Sequence, residues 1–354
     1  VSPLPATMQA AVLRAPSQVA LEELPAPCPG PGEVVVRVRA CGICGSDLMD
    51  WYVACRIPFV FGHELSGEIA AVGEGVEGWQ VGDRVFVHHH APCGNCVACH
   101  RGDEVHCTVW RASRLEPGGM AEYVRVPPGI LQRDTLRLPP GMGFDDAALI
   151  EPVACAVKAL RRAEGLLHAL DARGQGLQGT RVLVLGAGFS GQVLGKLARQ
   201  MGARELLAVD PVPARRDQAT RWADAVVDPA VEDPAEATRP EGVDLAVVAA
   251  ASPQAVATAV RAVRSGGAVL LYAPLPPESL LPADPYEVFF REITLLPSYS
   301  AGPRDTREAL RWILRGVIRA AELVTHRFPL HQAPEAYRTA QAGGPALKVL
   351  VEMI

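Results

Sequence analysis

The stretch Arg181–Asp210, RVLVLGAGFSGQVLGKLARQMGARELLAVD, decides how the second half of the chain folds. An apolar run enters a glycine turn, Gly186-Ala187-Gly188-Phe189-Ser190-Gly191. An amphipathic segment follows, and a second apolar run ends at Asp210. A glycine fingerprint alone is weak, but between a strand and a helix it has the context of a dinucleotide site. The glycines permit a tight turn, close approach of a pyrophosphate and close helix packing, while the helix N-terminus stabilises negative charge. Asp210, 19 residues after Gly191, can accept both ribose hydroxyls of NAD and would repel a 2′-phosphate. Arg215 and Arg216 follow shortly and keep NADP as a second choice. NAD is the expected cofactor, with Gly186, Gly188, Phe189, Ser190, Gly191, Asp210 and Arg215 as its candidate residues. The alternative is an ordinary strand-turn-helix with an exposed aspartate.

Outward from this unit, DLAVVAA, GGAVLLYAP and EITLLPS read as further apolar strands, with PQAVATAVRAVRS helical between them. That alternation predicts a doubly wound parallel sheet with helices on both faces. The N-terminal third differs: EVVVRVRA, SGEIAAVG, DRVFVHHH and AEYVRVP are short β-rich runs between Gly and Pro clusters, the pattern of a partly open barrel or sandwich. Two domains are expected in 354 residues, with the boundary near residues 152–180, where DARGQGLQG reads as a loop. Past about residue 297, helical REALRWILRGVI, strand-like LVTHRFPL, helical PEAYRTAQAG and a final LKVLVEM follow, and nothing local says which domain they join.

The net charge is −5 and no block of like charge occurs, so neither a nucleic-acid face nor a polybasic membrane patch is indicated. No stretch of about 18 apolar residues exists. VSPLPATMQAAVL lacks the features of a signal peptide. The expectation is a cytoplasmic protein with a small-molecule partner, and Met8, where the β-like MQAAVL begins, is a candidate natural start.

Four of the nine cysteines fall in Cys93–Cys107, CGNCVACHRGDEVHC, with the spacing C-x2-C-x2-C-x7-C. Cys93, Cys96, Cys99 and Cys107 suit a structural zinc, which takes four thiolates tetrahedrally at about 2.3 Å and keeps no position open for substrate. Disulfides and an iron–sulfur cluster are the rivals. The absence of a secretory signal disfavours the first, and Thr108 stands where ferredoxin-type runs usually carry proline. His100 and His106 are spare candidates for the fourth ligand. Upstream, Cys44 lies in the Gly-flanked CGICGSD and His63-Glu64 in the Gly-flanked GHELSGEIAAVG. Three mixed ligands leave a fourth position free, as a Lewis-acid zinc requires. The plain alternative is a small buried cysteine and a turn histidine.

Cys41-Gly-Ile-Cys44-Gly-Ser46-Asp47, Gly62-His63-Glu64-x-x-Gly67, Val81-Gly82-Asp83-Arg84-Val85, the four-cysteine lobe, Gly118-Gly119-Met120-Ala121-Glu122-Tyr123 and Glu151-Pro152 occur in that order. From about Met8 to the C-terminus the chain resembles the zinc-containing medium-chain alcohol dehydrogenases, and within them the polyol (sorbitol-type) and threonine dehydrogenase branch. The resemblance implies a GroES-like, partly open β-barrel catalytic domain over 1–155 and 298–354, and a Rossmann domain over 156–297. It implies that Cys44 and His63 bind a catalytic zinc, with Glu64 and Glu151 ligating directly, through water or alternately, and that Ser46 hydrogen-bonds the substrate alcohol. Two zinc ions per chain, one catalytic and one structural, follow from it. So do an active site between the domains and a homo-oligomer, tetramer or dimer, built partly through EITLLPSYS. The expected reaction is hydride transfer between a secondary alcohol or polyol and NAD, giving a ketone. A 3-hydroxy amino acid dehydrogenase of the threonine type, and a dinucleotide-binding protein that has lost catalysis, are the alternatives.

Two features depart from or exceed that pattern. Relatives commonly carry a proton-relay histidine shortly after the Ser/Thr-Asp pair, but here Leu48, Met49 and Asp50 follow. Ser46 and the ribose are then expected to pass the proton straight to water, or Asp50 or a loop histidine substitutes. His88, His89 and His90 invite a third metal site. Consecutive strand residues point to opposite faces, however, so at most two could share a ligand, and a surface or inter-domain role is expected. Trp51–Val60, WYVACRIPFV, is either a substrate-pocket wall or ordinary core, as are Trp110 and Arg111. Cys28, Cys41, Cys55 and Cys155 read as packing residues.

Overall fold

The computed structural model describes residues 4–170 and 174–353. It divides into two compact units, 1–154 with 301–354, and 155–300. Part of the loop expected over DARGQGLQG lies outside the described residues. RRAEGLLHAL before it continues a helix, Ile150–Leu170.

The second unit holds a six-stranded parallel sheet. Its strands Arg181–Leu185, Glu205–Val209, Ala225–Val227, Val243–Val248, Val263–Leu271 and Thr294–Pro297 lie in the spatial order third, second, first, fourth, fifth, sixth. This is the doubly wound order in which the chain reverses direction at the first strand. The sequence reading missed Ala225–Val227, whose three residues are too few for a periodic signal. The helix read across PQAVATAVRAVRS stops at Ala262, and Val263 already pairs with Val243. Leu183, Val209, Val248 and Val269 form one buried cluster with helix residues Val256 and Ala259.

The first unit is built on a seven-stranded, mainly antiparallel sheet. Val34–Gly42 is its hub: Glu64–Val72, Tyr123–Val126 and the C-terminal Lys348–Glu352 all pair with it antiparallel. Arg84–Val87, Thr135–Arg137 and Val324–Pro329 complete the sheet, the last parallel to Lys348–Glu352. A smaller sheet joins Thr7–Ala15 to Gln18–Pro25 and Phe59–Val60. Their common core includes Leu13, Val36, Phe61, Leu65, Ile69, Met120 and Tyr337. Because Leu350 pairs with Gly42 and Cys41 with Val351, the chain's last strand lies directly beside the CGICGSD turn. Among the described residues no helix is long and apolar enough to cross a membrane.

The turn after Arg181–Leu185 shows why glycine is needed there. Gly186 has φ +99, a conformation that L side chains rarely adopt, and a Cβ on Gly191 would sit 1.8 Å from the Gly186 carbonyl oxygen. Gly191→Ala is therefore expected to destabilise the protein by about 1–3 kcal/mol through overpacking. Urea unfolding monitored by circular dichroism measures this, and an unchanged midpoint would contradict the close packing.

Candidate metal centres and cofactor turn

The CGICGSD segment turns sharply out of Val34–Gly42 into a short 3-10 helix, Gly45–Leu48. Its shape is held from within by Asp47, whose Oδ2 accepts the Cys44 N–H at 3.1 Å. From without, the Tyr337 hydroxyl donates to the Asp47 carbonyl at 2.8 Å. The other Asp47 oxygen lies 3.5 Å from His63 Nδ1. One buried carboxylate thus sets both the thiol turn and one edge of the imidazole, the arrangement by which an outer carboxylate orients a metal-binding histidine. Burial alone would lower the His63 pKa; Asp47, with Cys44, raises it well above the usual histidine value.

Glu64 begins the strand that follows His63 and is wholly buried. Gly42 on the neighbouring strand makes the space: a Cβ there would lie 2.0 Å from Glu64 Oε2. Lys348 Nζ donates to both carboxylate oxygens, at 2.8 and 2.7 Å, and to the Ile43 carbonyl at 3.1 Å. Burial would lower the Lys348 pKa, but Glu64 and then Cys44 raise it, while burial raises the pKa of Glu64 itself against the pull of Lys348. Cys44, His63 and Glu64 each offer a ligand atom within 4.8 Å of the other two. A thiolate, an imidazole and a carboxylate suit zinc, and three of them leave one position open. Ser46 lies two residues beyond Cys44, half-buried in the same turn.

Glu151 is buried in the first turn of Ile150–Leu170. Its ligand atom groups with those of His88 and His89 rather than with the Cys44 trio, although its charge is felt by Glu64. Here the surface role expected for the histidines is corrected. The strand ends at Val87, so face alternation does not apply to the bend that follows. His88 is completely buried, and its ring lies against that of His89, centroids 4.8 Å apart. His88 Nδ1 is 2.7 Å from Asp134 Oδ2, and Asp134 Oδ1 accepts from the Thr306 hydroxyl at 2.5 Å. Burial would lower the His88 pKa, but Asp134 raises it. Among the described residues His89 Nδ1 has no such partner, and burial, with His90 beside it, holds its pKa well below the ordinary value.

The four-cysteine lobe is a separate small core. Cys93, Cys96 and Cys99 pack around Val105, Cys107 and Trp110. Trp110 is thus lobe packing rather than pocket wall. All nine cysteines are free thiols, which removes the disulfide alternative. Sγ–Sγ separations of 3.9 Å (Cys93–Cys99) and 3.5 Å (Cys96–Cys99) bracket the roughly 3.8 Å edge of a tetrahedron with Zn–S of about 2.3 Å. The Cys93 N–H donates to Cys107 Sγ at 3.4 Å. Although burial raises the Cys107 pKa, this and other backbone hydrogen bonds bring it down to about 6, favouring thiolate. His100 and His106 stay outside this four-sulfur group. In Trp51–Val60, Val53 is buried core while Trp51 is exposed, so the segment is not uniformly either kind.

In the second unit, Gly188 caps helix Phe189–Gln200, with Phe189 buried and Ser190 half-buried in the first turn. Asp210 is buried. Its Oδ2 accepts the Ala187 N–H and its Oδ1 the Val212 N–H, both at 2.8 Å, so the carboxylate braces the glycine turn while each oxygen keeps a further lone pair. Arg215 Nη1 stands 3.9 Å from it. Gln192, unremarked in the sequence, donates to the Ala187 carbonyl at 2.9 Å and locks the turn from below.

Two family models match the chain: the alcohol dehydrogenase GroES-like domain over residues 30–139 and the zinc-binding dehydrogenase over 191–315. Sorbitol dehydrogenase of Bacillus subtilis is 30% identical, covering 98% of this chain and 98% of that protein. L-Galactonate-5-dehydrogenase of Escherichia coli is 32% identical over 94% of each. Among solved structures, 2R,3R-butanediol dehydrogenase of Bacillus subtilis superposes with a TM-score of 0.82 at 26% identity, covering 98% of this chain and 100% of that one.

Lys348 and Asp47 were not assigned roles from sequence, yet between them they hold all three candidate ligands. In metal-depleted protein, Lys348→Met leaves Glu64 a buried carboxylate without its cation and is expected to cost about 3–5 kcal/mol. Denaturant unfolding reads this. Lys348→Met/Glu64→Gln should recover much of the loss, whereas equal stability of wild type and single variant would show that the pair does not matter.

Proposed function

The chain belongs to the zinc-binding alcohol dehydrogenase family, with a GroES-like domain and a Rossmann domain, and we propose that it oxidises a secondary alcohol or polyol to the ketone with NAD as hydride acceptor. The observation that carries the reading is the convergence of Cys44, His63 and Glu64 into a mixed-donor trio, apart from the four cysteines that group by themselves. Cys44, His63 and Glu64 would hold the catalytic zinc, with Glu151 as the nearby acid. Cys93, Cys96, Cys99 and Cys107 would hold the structural one. When bound, zinc supplies a Lewis acid that lowers the pKa of the substrate hydroxyl, and NAD supplies the acceptor for the hydride.

The chain's own residues bind, orient and move the proton. Asp47 fixes the edge of His63, and Lys348 fixes Glu64 and balances one buried charge. The Ser46 hydroxyl accepts the proton leaving the substrate oxygen and passes it toward solvent. Met49 cannot carry a proton, and Asp50, exposed at the start of the short helix Asp50–Val53, is the nearest acid in sequence. Removal of the carbinol hydrogen with two electrons to nicotinamide and of the hydroxyl proton to Ser46 and water leaves the ketone. In the second unit, Gly186, Gly188 and Gly191 let a pyrophosphate approach the N-terminus of Phe189–Gln200. Asp210 would accept from the adenosine ribose of a bound NAD. Its buried carboxylate supports NAD over NADP, while Arg215 beside it bounds that preference.

The named relatives act on a polyol, an aldonate and a diol, which supports a substrate with vicinal hydroxyls over a 3-hydroxy amino acid. Edge strand Thr294–Pro297 and exposed Tyr286, Phe289 and Phe290 support self-association through the second unit. Free cysteines throughout support a cytoplasmic location.

An NAD-reduction screen over polyols, cyclitols, sugars, aldonates, secondary alcohols and threonine is the test. Turnover of polyhydroxylated secondary alcohols is expected, and activity confined to primary alcohols would overturn the reading. With the best substrate, Ser46→Ala should lower kcat about 10²–10⁴-fold and Asp50→Asn far less. An unchanged kcat in Ser46→Ala would remove Ser46 from the proton path.

A further inference from the structure

We propose that Asp228 is a positioning residue for cofactor choice: it latches Arg216 to the end of the neighbouring strand and keeps that guanidinium away from the 2′ position of an adenosine ribose held at Asp210. Arg216 lies in helix Pro213–Ala219, six residues past Asp210. Its Nη1 donates to the Asp210 carbonyl at 2.8 Å, and its Nη2 lies 2.8 Å from Asp228 Oδ2. Asp228 directly follows strand Ala225–Val227, which pairs with the strand that ends just before Asp210. The guanidinium therefore bridges the carboxyl ends of two adjacent strands, the rim along which a doubly wound sheet binds its ligand. Asp228 is fixed from its own side as well, because its Oδ1 accepts the Ala230 N–H at 3.0 Å in a turn. Only 18% of the Arg216 side chain and 26% of the Asp228 side chain are exposed, so the contact is more constrained than an ordinary surface pair.

Charge decides which cofactor this corner admits. The carboxylates of Asp210 and Asp228 face the guanidinium groups of Arg215 and Arg216, and the four charges balance. Arg215 lies over the glycine turn, its Nη1 3.9 Å from Asp210 Oδ2 and 3.5 Å from where a Cβ on Gly188 would be. A 2′-phosphate carries roughly −1.5 to −2 charge at pH 7 and is best met by a guanidinium fork turned toward it. With Arg216 held by Asp228 that fork is occupied, and the Asp210 carboxylate repels the phosphate. Asparagine at 228 would keep the turn acceptor but remove the charge, which frees the fork and leaves the corner with one net positive charge. The latch presupposes the dinucleotide site proposed at this turn, and it adds to that site a residue outside the glycine fingerprint.

The test is direct binding of NADH and of NADPH to the full-length protein, followed by nicotinamide fluorescence, with circular dichroism as the check on folding. Wild type is expected to bind NADH the more tightly. Asp228→Asn should tighten NADPH about tenfold and leave NADH nearly unchanged. Asp228→Asn/Arg216→Ala restores the charge balance and should lose that gain, which identifies Arg216 as the group released. If Asp228→Asn fails to fold, Asp228→Ser, which also keeps an acceptor for the turn, replaces it. A gain that survives in the double variant would overturn the latch. A wild type that binds the two cofactors equally would overturn it together with the NAD preference. A wild type that discriminates, with the same ratio of dissociation constants in Asp228→Asn, would overturn the latch alone.

Discussion

A carboxylate with no exposed surface, placed on a β-strand beside a thiol turn, must be met by a cation. In this protein Lys348 meets it at 2.7 Å. Much of the first unit's layout serves that contact. Gly42 has no side chain because Glu64 needs the space, and the last strand of the chain pairs with Val34–Gly42, which brings Lys348 to Glu64 across 284 residues of sequence. With the carboxylate anchored, Asp47 sets Cys44 and His63 relative to it. Breaking one partner of such a pair costs more than the pair contributes, so the contact specifies this arrangement more than it stabilises the fold.

The division of labour among the cysteines follows from coordination number. Four thiolates saturate a tetrahedral ion, so the Cys93–Cys107 lobe, with its own small core around Trp110, is suited to holding a loop. Cys44 groups instead with one nitrogen and one oxygen donor, a set of three that would leave a coordination position on a bound zinc, and Ser46 lies two residues away. The glycine turn of the second unit is a matter of space: Gly191 passes so close to the Gly186 carbonyl that any side chain would push it open. Asp210 both braces that turn and keeps acceptor capacity toward a ribose.

Local features were legible in the sequence. The four cysteines, the Gly-flanked Cys44 and His63-Glu64, and the strand-glycine-helix unit are encoded within a few residues, because short turns and ligand spacing are local constraints. The parallel sheet was legible as apolar runs, apart from the three-residue strand Ala225–Val227. What could not be read depended on contacts far apart in the chain, such as Lys348 with Glu64 and Thr306 with Asp134. A compositional hint existed, since Lys348 is one of only three lysines among 34 basic residues, but nothing local gave it a partner. The histidine run was misread for a different reason. Alternation holds only while the backbone is a strand, and the strand ends at Val87, one residue before it would have mattered.

The most direct measurement is a crystal structure of the zinc-loaded protein with an anomalous difference map recorded across the zinc edge. A peak bounded by Cys44 Sγ, the His63 ring and the Glu64 carboxylate, accompanied by one centred among the four lobe sulfurs, is the expected result. A filled four-cysteine lobe with no peak between Cys44 and His63 would contradict the assignment of the chemistry to that centre.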